Sequence, residues 1–215
     1  MTNNDIDAVM KELNTHFHSV KTPIVDLIQA KTEQPFKVLI ATILSARTKD
    51  ETTAKVVDEL FKVVNNADDL DAISAEELDR IIYPVGFHNT KTQHLKQLPK
   101  VLNEEFGGVV PSEIDDLLKL PGVGRKTANL VRTVAFSLPA ICVDVHVHRI
   151  CNRWGYVKTK NPLETEMALR QKLPKKHWLN INSHVVAFGQ NLCKPRKPNC
   201  DICPIYKYCK RVGVK

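Results

Sequence analysis

The chain has 215 residues, enough to bury a sizeable core as one large domain or two small ones. Its 43% apolar content is that of a soluble globular protein, and its longest apolar run, residues 38–44, falls far short of the roughly 20 residues of a bilayer span. The formal charge is +7 and unevenly placed, with seven basic side chains against Asp201 alone in residues 193–215. Such a patch suits a polyanion partner, although a solvated basic tail has the same composition.

The first residues carry neither the basic stretch nor the apolar core of a secretory signal, so a cytoplasmic, chromosome-associated location and no membrane partner are expected. The chain then reads as helix after helix. Leu44-Ser45-Ala46-Arg47-Thr48-Lys49-Asp50 leads into a helix, with Thr48-x-x-Glu51 as a capping box and Val57, Leu60, Phe61 and Val64 on one face. Ser74-x-x-Glu77 opens another, with Leu78, Ile81 and Ile82 inward and Pro84 as its stop. The loop Gly86-Phe87-His88-Asn89-Thr90-Lys91 carries an aromatic that reads equally as core or as an exposed apolar group. Ser112-x-x-Asp115 is a near variant of the capping box, and Asn161-Pro162-Leu163-Glu164 sets an N-cap, a proline at N1 and an acid at N3. No alternating strand pair, repeat or low-complexity segment is present, so the fold class is all-α.

Residues 112–137 read as helix, tight hairpin, helix. The hairpin runs Leu120-Pro121-Gly122-Val123-Gly124, followed by Arg125-Lys126-Thr127-Ala128. Two glycines allow the turn and leave backbone N–H groups uncovered at the start of the second helix, where a phosphate binds well. Eighteen positions beyond Lys126 comes Val143-Asp144-Val145-His146, in which Asp144 also has the form of a helix N-cap. Of six cysteines, four are spaced C-x6-C-x2-C-x5-C at Cys193, Cys200, Cys203 and Cys209. That density points to metal rather than disulfides, and the spacing leaves zinc and an iron–sulfur cluster both open. Cys142 and Cys151 fall outside the pattern and read as small buried hydrophobes.

From about Pro35 to Cys209 these motifs resemble endonuclease III, a family of helix-hairpin-helix, iron–sulfur DNA glycosylases with AP lyase activity. The resemblance implies a two-lobed fold with the active site in the cleft between the lobes. One lobe is a six-helix barrel over residues 28–138 containing the hairpin at 112–137. The other joins residues 1–27 to 139–215, with the cluster loop at 193–209. It further implies Lys126 and Asp144 as the catalytic pair, His146 as structural support, and a [4Fe–4S] cluster on the four cysteines.

The implied substrate is damaged double-stranded DNA, met by a monomer that removes oxidised pyrimidines. Implied DNA contacts are Gly122, Gly124 and Arg125 in the hairpin, Arg47 and Phe87 in the two loops, and Lys194, Arg196 and Lys197 in the cluster loop. Arg47 stands where the bacterial pattern most often has glutamine. A neutral amine has to attack the sugar, and a helix N-terminus, Arg125 and partial burial of Lys126 would each disfavour its ammonium form. Two other readings are a monofunctional mismatch or purine-lesion glycosylase on the same scaffold, and a non-catalytic DNA-binding module.

Overall fold

Among the residues that the structure describes, 1–17 and 24–214 of a computed structural model, all regular secondary structure is helical. Residues 18–23 of the amino-terminal stretch and Lys215 of the basic segment lie outside the described residues. In chain order the helices are α1 (Asn3–Phe17), α2 (Ile24–Thr32), α3 (Pro35–Ser45), α4 (Asp50–Leu60), α5 (Ala67–Ala72) and α6 (Ala75–Ile82). Then follow α7 (His88–Phe106), α8 (Ile114–Leu117), α9 (Arg125–Phe136), α10 (Val145–Arg153), α11 (Pro162–Lys172) and α12 (Ile181–Asn191). Short 3-10 turns stand at Lys175–His177, Cys200–Ile202 and Tyr206–Tyr208. No helix among the described residues is long and apolar enough to cross a membrane.

The chain divides into two compact units, Thr22–Leu138 and the pair of segments Met1–Lys21 and Pro139–Lys215. In the first, the apolar run found in the sequence is the centre. Residues 38–44 of α3 are all buried, and α2, α4, α7 and α9 pack on it. A helix apolar all round has no solvent face, so it must sit inside its neighbours. Thr42 is tolerated there because its hydroxyl donates to the Val38 carbonyl at 2.7 Å. Pro35 begins α3 with the backbone angle a first turn requires. On α7 the inward stripe is Lys91, Leu95, Leu98 and Leu102, and the left-handed Gly107 ends the helix as Gly108 N–H bonds the Leu102 carbonyl at 2.9 Å.

In the second unit, α1 buries Ile6, Val9, Met10 and Leu13, packing on α12, which also carries α10. Trp154, Tyr156 and Phe188 fill the space between these helices. Cys142 and Cys151 are buried, as expected of small hydrophobes, and burial pushes the Cys151 thiol up to about 12.

The caps divide into those that form as the sequence implied and those that do not. Ser74 Oγ accepts the Glu77 N–H at 3.1 Å, and Asn161 Oδ1 accepts that of Glu164 at 2.9 Å. Thr48 is no cap: α4 starts behind Lys49, and the Thr48 hydroxyl accepts the Gly86 N–H at 3.1 Å and Lys91 Nζ at 3.3 Å. Nor is Ser112, since α8 starts behind Glu113 and the Ser112 carbonyl is held by Arg132 Nη1 of α9 at 2.8 Å.

Candidate functional site

The hairpin that joins α8 to α9 is a rigid turn. Gly122 is left-handed, with φ +79°, and a Cβ there would press on the His94 ring from 3.0 Å, so both backbone and space demand glycine. Gly124 differs: its φ of −90° suits any residue, and a Cβ would meet nothing within 4 Å. The chain's own packing gives no reason for glycine here, which instead leaves open the approach to the start of α9. Arg132 fixes the hairpin from behind by reaching the Ser112 carbonyl and Glu113 Oε2. Lys126 lies in the first turn of α9 and is exposed, so the partial burial expected from the sequence is not supplied by this chain; Arg125 is half-buried beside it.

Asp144 is the N-cap of α10 in the other unit. Its Oδ1 accepts the N–H groups of His146 and Val147 at 2.8 and 2.9 Å. That cap fixes the carboxylate through one oxygen and leaves Oδ2 outside the cap. His146 sits in the packing between α10 and α12: a Cβ on Gly189 would lie 2.6 Å from its Nδ1. Arg149, on the same helix, donates from Nη2 to the Cys193 carbonyl at 3.0 Å, tying α10 to the cysteine loop.

Phe87 is 60% exposed, which removes the core reading. It stands at the N-cap of α7 with a left-handed backbone, φ +61°, and Arg47 is left-handed too, φ +55°. The Arg47 guanidinium lies over the Phe87 ring, 5.2 Å from its centroid. Sequence reasoning assigned no role to Lys91, which lies 44 positions past Arg47 and is only 6% exposed. Its only sequence signal is a charge on the apolar stripe of α7, at the position where a leucine would be expected.

The four terminal cysteines line one small cavity together with Trp154, Phe188 and Ile205. Burial pushes the Cys203 thiol up to about 11 and raises Cys209 as well, so neither ionises readily without a cation beside it. Cys193 Sγ accepts Arg153 Nη1 at 3.3 Å, and Cys209 Sγ accepts the Arg211 N–H at 3.3 Å, bonds that suit a sulfur carrying negative charge. Four cysteines facing one cavity fit the four-thiolate ligation of an iron–sulfur cluster. Arg153 also donates to the carbonyls of Lys194 and Pro195, holding the loop backbone inward while Lys194, Arg196 and Lys197 remain exposed.

An all-helical fold with this hairpin and this cysteine loop defines a class, the helix-hairpin-helix base-excision proteins. Residues 40–175 match the family described as HhH-GPD superfamily base excision DNA repair protein, and residues 193–209 match the iron-sulfur binding domain of endonuclease III. Endonuclease III of Thermotoga maritima is 46% identical over 180 residues, covering 84% of each chain. That of Bacillus subtilis is 40% identical over 177 residues, 82% of this chain and 81% of its own. A trapped endonuclease III–DNA covalent intermediate, an estranged-adenine complex, superposes with a TM-score of 0.84 at 34% identity, over 98% of this chain and 97% of that one. The chain belongs to the endonuclease III family of the HhH-GPD superfamily. It is a base-excision DNA glycosylase and AP lyase, and its cofactor is a [4Fe–4S] cluster.

Proposed function

We propose that this chain removes oxidised pyrimidines from damaged double-stranded DNA and cuts the strand 3′ to the resulting abasic site, with Lys126 as nucleophile and Asp144 as the assisting carboxylate. The observation that carries this reading is the exposed lysine in the first turn of α9, directly behind the open Gly122-Val123-Gly124 turn. Backbone N–H groups and the helix dipole at that end attract a phosphate, which brings the sugar to the amine. Because Lys126 is exposed in the chain, desolvation of its amine falls to the DNA that covers it.

The amine attacks C1′, and the base leaves with the bonding pair of the glycosidic bond and takes a proton. Ring opening yields a Schiff base between Lys126 and the sugar. Loss of a C2′ proton then breaks the C3′–O bond by β-elimination, the phosphate leaves as the 5′-phosphate end of the downstream strand, and water hydrolyses the Schiff base to free Lys126. Asp144, held through one oxygen, stabilises the positive charge that develops on the sugar and helps take the amine's proton. Cys193, Cys200, Cys203 and Cys209 hold the cluster. That group shapes the loop from which Lys194, Arg196 and Lys197 meet phosphates, while Gly122, Gly124 and Arg125 bind them at the hairpin. Arg47 and Phe87 fill the gap left by the extruded nucleotide. The enzyme acts as a cytoplasmic monomer on the chromosome.

Borohydride trapping on duplex DNA with an abasic site tests the assignment. The wild-type protein forms a covalent adduct and cuts the strand, while Lys126→Gln does neither and still binds DNA. Strand cleavage by Lys126→Gln at the wild-type rate would sink it. Base release without an adduct from the wild-type protein would instead favour a monofunctional glycosylase, and binding without either product a non-catalytic module.

A further inference from the structure

We propose that Arg47 and Phe87 act as one composite wedge, and that Lys91 is the positioning residue that holds its two halves together. The inference rests on the reading above, in which both side chains enter the duplex.

Lys91 reaches both halves at once. Its backbone N–H donates to the Phe87 carbonyl at 3.1 Å, the first helical bond of α7. Its side chain, 6% exposed, runs to the end of α3, where Nζ donates to the Leu44 carbonyl at 2.8 Å and the Ala46 carbonyl at 2.7 Å. A third bond goes to Thr48 Oγ1 at 3.3 Å. Two of these acceptors, Ala46 and Thr48, flank Arg47 directly. The last carbonyls of a helix lack intrahelical donors and carry the negative end of its dipole, so an ammonium is well matched to this place.

The rest of the junction closes around the same atoms. Thr48 Oγ1 also accepts the Gly86 N–H at 3.1 Å, and a Cβ on Gly86 would lie 2.7 Å from the Arg47 carbonyl oxygen. The two loops are therefore in backbone contact, with no space for a side chain between them. Arg47 and Phe87 are both left-handed, a conformation that non-glycine residues keep only where the surroundings impose it. The ammonium of Lys91 and the hydroxyl of Thr48 are what impose it here. The outcome is a guanidinium held over an exposed ring, so that the two side chains present themselves together.

Single-turnover rates on three duplexes test this: a lesion in a stable pair, the same lesion opposite a mismatch, and an abasic site. 2-Aminopurine next to the lesion reports unstacking. Lys91→Met removes the ammonium and keeps an apolar stem on the buried stripe. We expect it to slow base release from the stable pair by about tenfold or more, the mismatch less, and abasic-site cleavage least, with the 2-aminopurine signal reduced in step, because unstacking is the step it impairs. Thr48→Val, which loses the hydroxyl's bonds to both Gly86 and Lys91, should shift the same ratios in the same direction and serves if Lys91→Met does not fold. Adding Lys91→Met to the Arg47→Ala, Phe87→Ala double variant should cost nothing more on the stable pair. Equal losses on all three duplexes, or additive losses on top of the double variant, would overturn the role of Lys91. If the double variant itself leaves the three rates in their wild-type ratio, the wedge reading fails and takes the composite with it.

Discussion

Phe87 carries a backbone cost that its fold does not need. A left-handed phenylalanine is disfavoured, and with the ring 60% exposed little packing offsets it. Phe87→Gly should therefore raise stability slightly, by at most about 1 kcal/mol once the added chain entropy of glycine is subtracted, and lower base release from paired lesions. Urea melts beside the rates check both signs. A loss of several kcal/mol would mean that the ring is packed after all. At this scale the motif residues were legible because short spacing defines them: Gly122, Gly124 and Lys126 in one turn, Asp144 as a cap, four cysteines in seventeen residues. Lys91 was not, since its acceptors lie more than forty positions away and only the folded chain brings them to it.

Among the helices, caps built from neighbouring residues were readable, as at Ser74 and Asn161. The Thr48 box failed because a distant N–H, that of Gly86, competes for the same hydroxyl. Asn161→Ala should cost about 1 kcal/mol in urea denaturation, the usual value of such a cap. The junction of α6 and α7 has a pH signature. Asp79 accepts His88 Nδ1 at 2.8 Å and the Thr92 hydroxyl at 2.9 Å, and these bonds, with His88 the larger influence, hold its carboxyl below the usual carboxylate value. A depressed carboxylate adds stability that is present above its unfolded value and is lost as pH falls through the folded one. Stability should decline on acidification through that range, and Asp79→Asn should show a shallower decline. An identical acid limb in the two proteins would show that the pair contributes nothing.

Across the whole molecule, charge gathers where the cysteine loop is. Each phosphate contact contributes roughly 0.9 to the slope of log affinity against log salt, so neutralising Lys194, Arg196 and Lys197 together should flatten it by about two to three units. An unchanged slope would show that the loop faces away from DNA. The all-helical class was legible from periodicity, but the order of assembly was not, and it follows from the interrupted unit. Thr22–Leu138 is continuous and complete as soon as it is made, whereas α1 docks on α12. A ribosome adding about 5–20 residues per second reaches Ile181 on the order of ten to thirty seconds after finishing Phe17. During that interval the α12 face that covers Ile6, Val9 and Leu13 has not yet been made, so α1 leaves the exit tunnel long before the helix that shelters it. Stalled nascent chains ending before α12 should resist protease over the continuous unit and be cut within α1.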